Sequence, residues 1–118
     1  MRAEIKRLHS PDIANLESYT PQVGDNFSFL LQIMAGPSGQ EGEESFDVLI
    51  CTPKWLEERF SKGQIIVGRH YLIVFEYNFN RIELFIKSYC EQCEGNNWQE
   101  VAAKLSRLGK WEFEDYRP

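Results

Sequence analysis

The sequence predicts an α+β fold: a mainly antiparallel sheet with a long hairpin, one short helix, and two C-terminal amphipathic helices packed on the sheet. Three observations carry this. Two alternating apolar runs, residues 27–34 and Glu44–Cys51, flank a glycine-rich loop over 36–42. Two segments with helical spacing follow late in the chain, each introduced by an asparagine. A further alternating segment, 110–116, comes after them. At 118 residues, 42% of them hydrophobic, the chain fits a single domain over 1–118 with its own core.

Each element has a local reason. Residues 2–8 read as an edge strand, which Ser10-Pro11-Asp12 ends. Residues 13–25 contain Pro21 and Gly24 and read as an irregular connection, with a short strand at 16–19. Over 27–34, Phe27, Phe29, Leu31 and Ile33 form a fully apolar face. In the next strand Phe46, Val48 and Ile50 point inward, and Asp47 falls on the wetter side.

Thr52-Pro53 starts a short helix, because Thr caps well and Pro at the first helical position loses no needed hydrogen bond. That helix ends near Phe60. Residues 65–67 and 70–75 are β-rich and divided by Gly68; the second is expected to be a central strand. Asn80 to Glu83 and Asn97 to Glu100 match capping boxes. The first late helix aligns Ile82, Phe85, Ile86, Tyr89 and Cys93 on one stripe. The second aligns Trp98, Val101, Ala102, Leu105 and Leu108. Gly95 and Gly109 close them. A last strand is expected over 110–116.

Composition narrows the function. No apolar run approaches the length that spans a bilayer, and residues 1–10 lack the apolar stretch of a secretory signal. The expectation is a cytoplasmic protein with no membrane partner. Three cysteines, an odd number, do not suit a disulfide framework. A net charge of −5 without a Lys/Arg cluster argues against binding nucleic acid and suits a basic protein partner. Solubility alone is the competing explanation for that charge.

Catalytic and metal patterns are sparse. Cys90 and Cys93 form the one C-x-x-C, and a tetrahedral site would need about four ligands. Cys51, His9 and His70 are the remaining candidates, so a small metal- or thiol-dependent enzyme using Cys51, Cys90, Cys93, His9 and His70 is the rival reading. The C-x-x-C sits near a predicted helix C-terminus, where the dipole does not activate a thiol. There is no nucleophile elbow and no phosphate-cradling glycine loop. The expectation is a non-enzyme without cofactor or metal.

The acidic residues are more telling. Glu43 and Glu44 adjoin the hairpin loop, Glu57 and Glu58 lie on the short helix, and Glu114 and Asp115 lie near the C-terminus. With Trp55 and Tyr116 as anchors, these eight residues form the candidate contact set for a basic protein. A solvated surface is the competing reading for each cluster. An edge strand at 2–8 or 110–116 also leaves room for a homodimer, or for a homo-oligomeric adaptor domain.

Four segments carry a resemblance: DNFSFLLQ from Asp25, EESFDVLICTPKWL from Glu43, GRHYLIVFEY from Gly68, and WQEVAAKLSRLGKWEFEDY from Trp98. They resemble the immunity protein 8 family of bacterial polymorphic toxin systems, most distinctively in CTPKWL and GKWEFEDY. The resemblance covers nearly the whole chain. It implies an inhibitor that binds and neutralises a cognate toxin domain in the cytosol. It also implies delivery of that toxin by contact-dependent inhibition or type VI secretion, and a nuclease with a basic cleft as the expected target. No family motif assigns contact residues, so the eight named above rest on their chemistry.

Overall fold

Strand pairing organises the chain around two long strands. In the computed structural model, which describes residues 1–116, the order is β1 (Ala3–His9), β2 (Ser28–Pro37), β3 (Glu44–Cys51), α1 (Pro53–Arg59), β4 (Tyr71–Ile73), α2 (Phe79–Gln92), α3 (Trp98–Leu105) and β5 (Lys110–Trp111). The fold is α+β with a mixed five-stranded sheet in the order β1-β2-β3-β4. β1, β2 and β3 pair antiparallel, as does β5 with β3; β4 pairs parallel to β3. One edge of β3 is thus taken by β2. The other is shared by β5, opposite Phe46 and Asp47, and β4, opposite Leu49 to Cys51.

The alternation of β2 and β3 sets the core. Phe29, Leu31, Ile33 and Ala35 of β2 are buried, as are Phe46, Val48 and Ile50 of β3. Ile82, Ile86 and Cys90 of α2 and Val101, Ala102 and Leu105 of α3 pack on that face. The α2 stripe therefore runs at i, i+4, i+8. Phe85, expected on it, lies at its margin and is half exposed. At the base of the hairpin, a Cβ on Gly36 would stand 2.0 Å from the Gly42 carbonyl oxygen. Only glycine fits there.

The caps follow their sequences with one shift. Thr52 Oγ1 accepts from Trp55 N–H at 3.3 Å and also from Phe27 N–H at 3.2 Å, which ties the start of α1 to the lead-in of β2. Asn97 accepts from Glu100 N–H at 2.9 Å, while Glu100 Oε2 accepts from Asn96 N–H at 2.8 Å. The cap of α2 is Asn78, not Asn80; its Oδ1 accepts from Arg81 N–H at 3.1 Å. Asn80 lies inside the first turn.

Four expectations are corrected. Residues 16–18 form a turn rather than a strand, because Leu16 and Tyr19 are held by side-chain packing instead of a ladder. Tyr19 joins Phe27, Phe29 and Tyr77 in an aromatic cluster, and the Tyr77 hydroxyl donates to the Leu16 carbonyl. Residues 65–67 are irregular rather than a strand. β4 is a three-residue edge strand, not a central one, because the chain leaves it for α2 and, among the described residues, no later strand pairs beyond it. The last strand stops at Trp111, and 112–115 fold into turns, with Asp115 at φ 61°.

Candidate functional site

The eight sequence-predicted contact residues fall into two groups. Trp55, Glu57 and Glu58 lie beyond the C-terminal end of β3. Glu43 and Glu44 lie at its N-terminal end, and Glu114, Asp115 and Tyr116 on or after the turn that follows β5, where Glu114 reaches Arg69 and His70. Eight residues of strand separate these ends by roughly 23 Å at a rise of about 3.3 Å per residue.

At the N-terminal end, Glu43 pairs with Arg7 at 2.9 Å. Glu44 is half-buried and its Oε1 accepts from two indoles, Trp98 Nε1 at 2.6 Å and Trp111 Nε1 at 2.8 Å. That carboxylate ties α3 and β5 to the start of β3. Trp111 stacks on Phe46, and Trp98 meets the same ring edge-on. Glu112 Oε1 accepts from Ser45 N–H at 2.8 Å, which holds the following turn. On that turn Glu114 is mostly buried; it pairs with Arg69 and stands 3.9 Å from His70 Nε2. Asp115 and Tyr116 are exposed, with Tyr116 edge-on to Phe113.

At the C-terminal end, Glu57 and Glu58 are exposed on α1, and Glu58 accepts from Asn26 Nδ2 at 2.7 Å. Trp55 is half-buried against Phe60, whose ring also lies 5.5 Å from the Arg59 guanidinium carbon.

The seam between β3, β4 and β5 holds unusual polar groups. His70 is in the left-handed region (φ 69°), and neither ring nitrogen has a hydrogen-bond partner among the described residues. Asp47, expected on the wetter side, is half-buried, and its Oδ1 is likewise without a partner.

The thiols are disposed as core side chains. Cys51, Cys90 and Cys93 are free and buried. Burial, then the nearby Cys93 and Glu91, pushes the Cys90 thiol up to about 12. Burial also raises Cys51 and Cys93, the latter opposed by Arg107 and Lys104. Protonated, enclosed thiols are poor nucleophiles and poor metal ligands. Among the described residues no group of three or more His, Cys, Asp or Glu side chains is placed to hold a metal. His9 lies at the end of β1, opposite Gln32, and is exposed.

What the sequence reading missed is an exposed apolar surface. Ile65 is 99% exposed, Val67 84% and Phe75 76%. Leu72, Phe75, Ile82 and Phe85 line an open groove of about 480 Å³, with Glu76 and Arg81 on its rim. The signal was present as two apolar runs on either side of Arg69-His70. Alternation and β propensity assign such runs to strands without showing whether anything covers them.

No helix of the described residues is long and apolar enough to cross a membrane. No curated protein and no solved structure matches the chain. The family model for Immunity protein 8 matches residues 3–116, from the first residue of β1 to the final turn, and the protein belongs to that family.

Proposed function

We propose that this chain neutralises a cognate bacterial toxin domain by a tight, non-covalent complex in the cytosol of the producing cell, and that the toxin is a basic nuclease. The observation that carries the reading is the family match over residues 3–116, because an immunity protein is defined by the toxin it blocks. A net charge of −5 supports a basic partner, through faster encounter and charge complementarity. Glu57 and Asp115 are exposed carboxylates that can meet such a partner. Glu43, Glu58 and Glu114 add charge while also serving contacts of their own. Trp55 and Tyr116 are the aromatic anchors of the two groups. Glu44 belongs to this set by charge, with its side chain also holding two indoles.

The test is co-expression with the C-terminal domain encoded by the open reading frame directly upstream. Growth arrest by that domain alone, relieved by this chain with recovery of a stable complex, is the expected result. Nuclease assays on the free domain check the reaction class. An expressed domain that is harmless, or that never associates with this chain, sinks the reading.

A further inference from the structure

We propose that the toxin docks on the outer edge of β4 by adding one of its own extended segments to this sheet, with an apolar side chain seated in the groove beside Phe75 and Phe85. The inference rests on the toxin-binding reading above and gives that reading a surface.

The backbone supplies the first argument. Leu49 N–H donates to the His70 carbonyl at 2.9 Å, and Val74 N–H donates to the Cys51 carbonyl at 2.8 Å. The even-numbered residues therefore turn their polar groups to β3. The odd-numbered ones turn theirs away, as strand geometry requires. Tyr71 N–H is taken by the Gly68 carbonyl at 3.2 Å. The amide and carbonyl of Ile73 face outward, and no strand pairs there among the described residues.

The second argument is that this edge, though only three residues long, lacks the charges, prolines and bulges that usually guard against pairing. Residues 71–75, Tyr-Leu-Ile-Val-Phe, hold no charge and no proline, and the β3–β4 register has no bulge. Sheet edges left this way invite another strand. Large apolar side chains at this edge are exposed, Ile73 by 49% and Phe75 by 76%, as is Phe85 of the neighbouring α2 by 51%. An open apolar groove with a charged rim is the surface on which aromatic contacts supply most binding energy.

Charge selects the occupant. Two copies of a chain carrying −5 repel, whereas a basic partner is drawn in. Glu76 directly follows the apolar run. Glu57 and Glu58 lie on α1, which leaves β3 at the same end where Val74 is bonded to Cys51. Near the groove these carboxylates are balanced by cations, Arg81 beside Glu76 and Lys54 and Arg59 on α1, so it is the net charge of the whole chain that favours a basic strand over a second copy.

The experiment is calorimetric titration of the intact chain into the upstream-encoded domain, carrying an inactivating substitution, with circular dichroism on every variant. Ile73→Arg should weaken binding by about 100-fold, and Phe75→Ala, which leaves the ladder untouched, by about 10-fold or more. Arg7→Ala, on the opposite edge, should stay within about threefold. Folded Ile73→Arg and Phe75→Ala variants that both bind like the wild type overturn the docking surface while leaving the toxin reading intact. A wild-type chain that does not bind removes both. A free chain that sediments at twice its 13.8 kDa mass, and is split by Ile73→Arg, assigns the edge to a second copy and overturns toxin docking.

Discussion

The two outer strands of the sheet, β1 and β4, face the same hazard and treat it differently. Both end the sheet and expose one row of backbone groups. β1 is guarded. Its register shifts between Ile5 and Arg7, and its outward residues include Glu4, Lys6 and Arg7. Lys6 Nζ donates to Glu4 at 2.7 Å and to the Gln40 carbonyl at 2.6 Å. That contact lowers the Glu4 carboxyl below its usual range. The start of β1 is also covered, because Ala3 N–H donates to the Cys93 carbonyl at 3.3 Å and Gly95 N–H to the Met1 carbonyl at 3.1 Å. β4 has neither charge nor bulge, and among the described residues no strand pairs on its outer side; its three-residue length is its one guard. A chain that closes one edge so thoroughly shows that its sequence can do so. The bare second edge is then a feature to be explained by use rather than by neglect.

The largest expected effect tests whether the two edges differ in how firmly the core holds them. Ile33 is fully buried opposite Leu8 and Phe46. Ile33→Ala should cost about 2–5 kcal/mol in urea denaturation. Leu72 of β4 is only half-buried, and Leu72→Ala should cost about 1–2 kcal/mol, since less apolar area is lost. Equal losses would mean that β4 is as firmly seated as the strands beside β1, and the comparison would break.

The next effect concerns the other occupant of β3's outer edge. Glu44→Ala leaves the Trp98 and Trp111 indoles without their shared acceptor. The expected loss is about 1–3 kcal/mol, with a red shift of tryptophan emission. Toxin affinity should change less than in the Ile73→Arg variant. If Glu44→Ala abolishes binding in a folded protein, the hairpin end of the sheet carries the interface and the β4 edge does not.

A third test uses pH. Burial, then Tyr19, pushes the Tyr77 hydroxyl up to about 12, and that hydroxyl bonds to the Leu16 carbonyl. The neutral form is thus favoured in the folded chain. Its contribution is fully present below the ordinary tyrosine value near 10 and is lost as pH rises towards 12. Stability should fall over that window, and Tyr77→Phe should flatten the fall. An unchanged slope would place the alkaline loss elsewhere. This residue lies in the segment joining β4 to α2, so the same titration reports how tightly the open edge is anchored.

The smallest effect is at the guarded edge. Arg7→Ala removes an exposed ion pair with Glu43 and should move stability by no more than about 0.5 kcal/mol. A guard's role is against association, not unfolding. Replacing Glu4, Lys6 and Arg7 together by threonine should produce concentration-dependent self-association, read by sedimentation. If that variant associates no more than the wild type, the bulge and the covered start of the strand protect β1.

The candidate site was legible only in part. The short helix with Trp55, Glu57 and Glu58 formed where its Thr-Pro start placed it, and those side chains remain at the surface. The carboxylates at the other end were recognisable as a cluster but not as structure. Glu44 is held by partners 54 and 67 residues away, and Glu114 by Arg69, 45 residues away. No local pattern encodes such meetings. The β4 run was read as a central strand because an apolar β-branched run looks the same with one neighbour as with two.

The sequence by itself determined the α+β class, the buried faces of β2 and β3, the hairpin and the starts of α1 and α3. Each follows from periodicity or capping within a few residues. The family was legible too, through segments spread along the chain. Tertiary structure alone decided which strands lie at the edges, that β5 ends after two residues, and that Asn78 rather than Asn80 opens α2. It also decided which carboxylates are bound and which are free. These depend on what a residue meets after distant segments close on one another, and burial, pairing and charge neutralisation are properties of that meeting rather than of the residue.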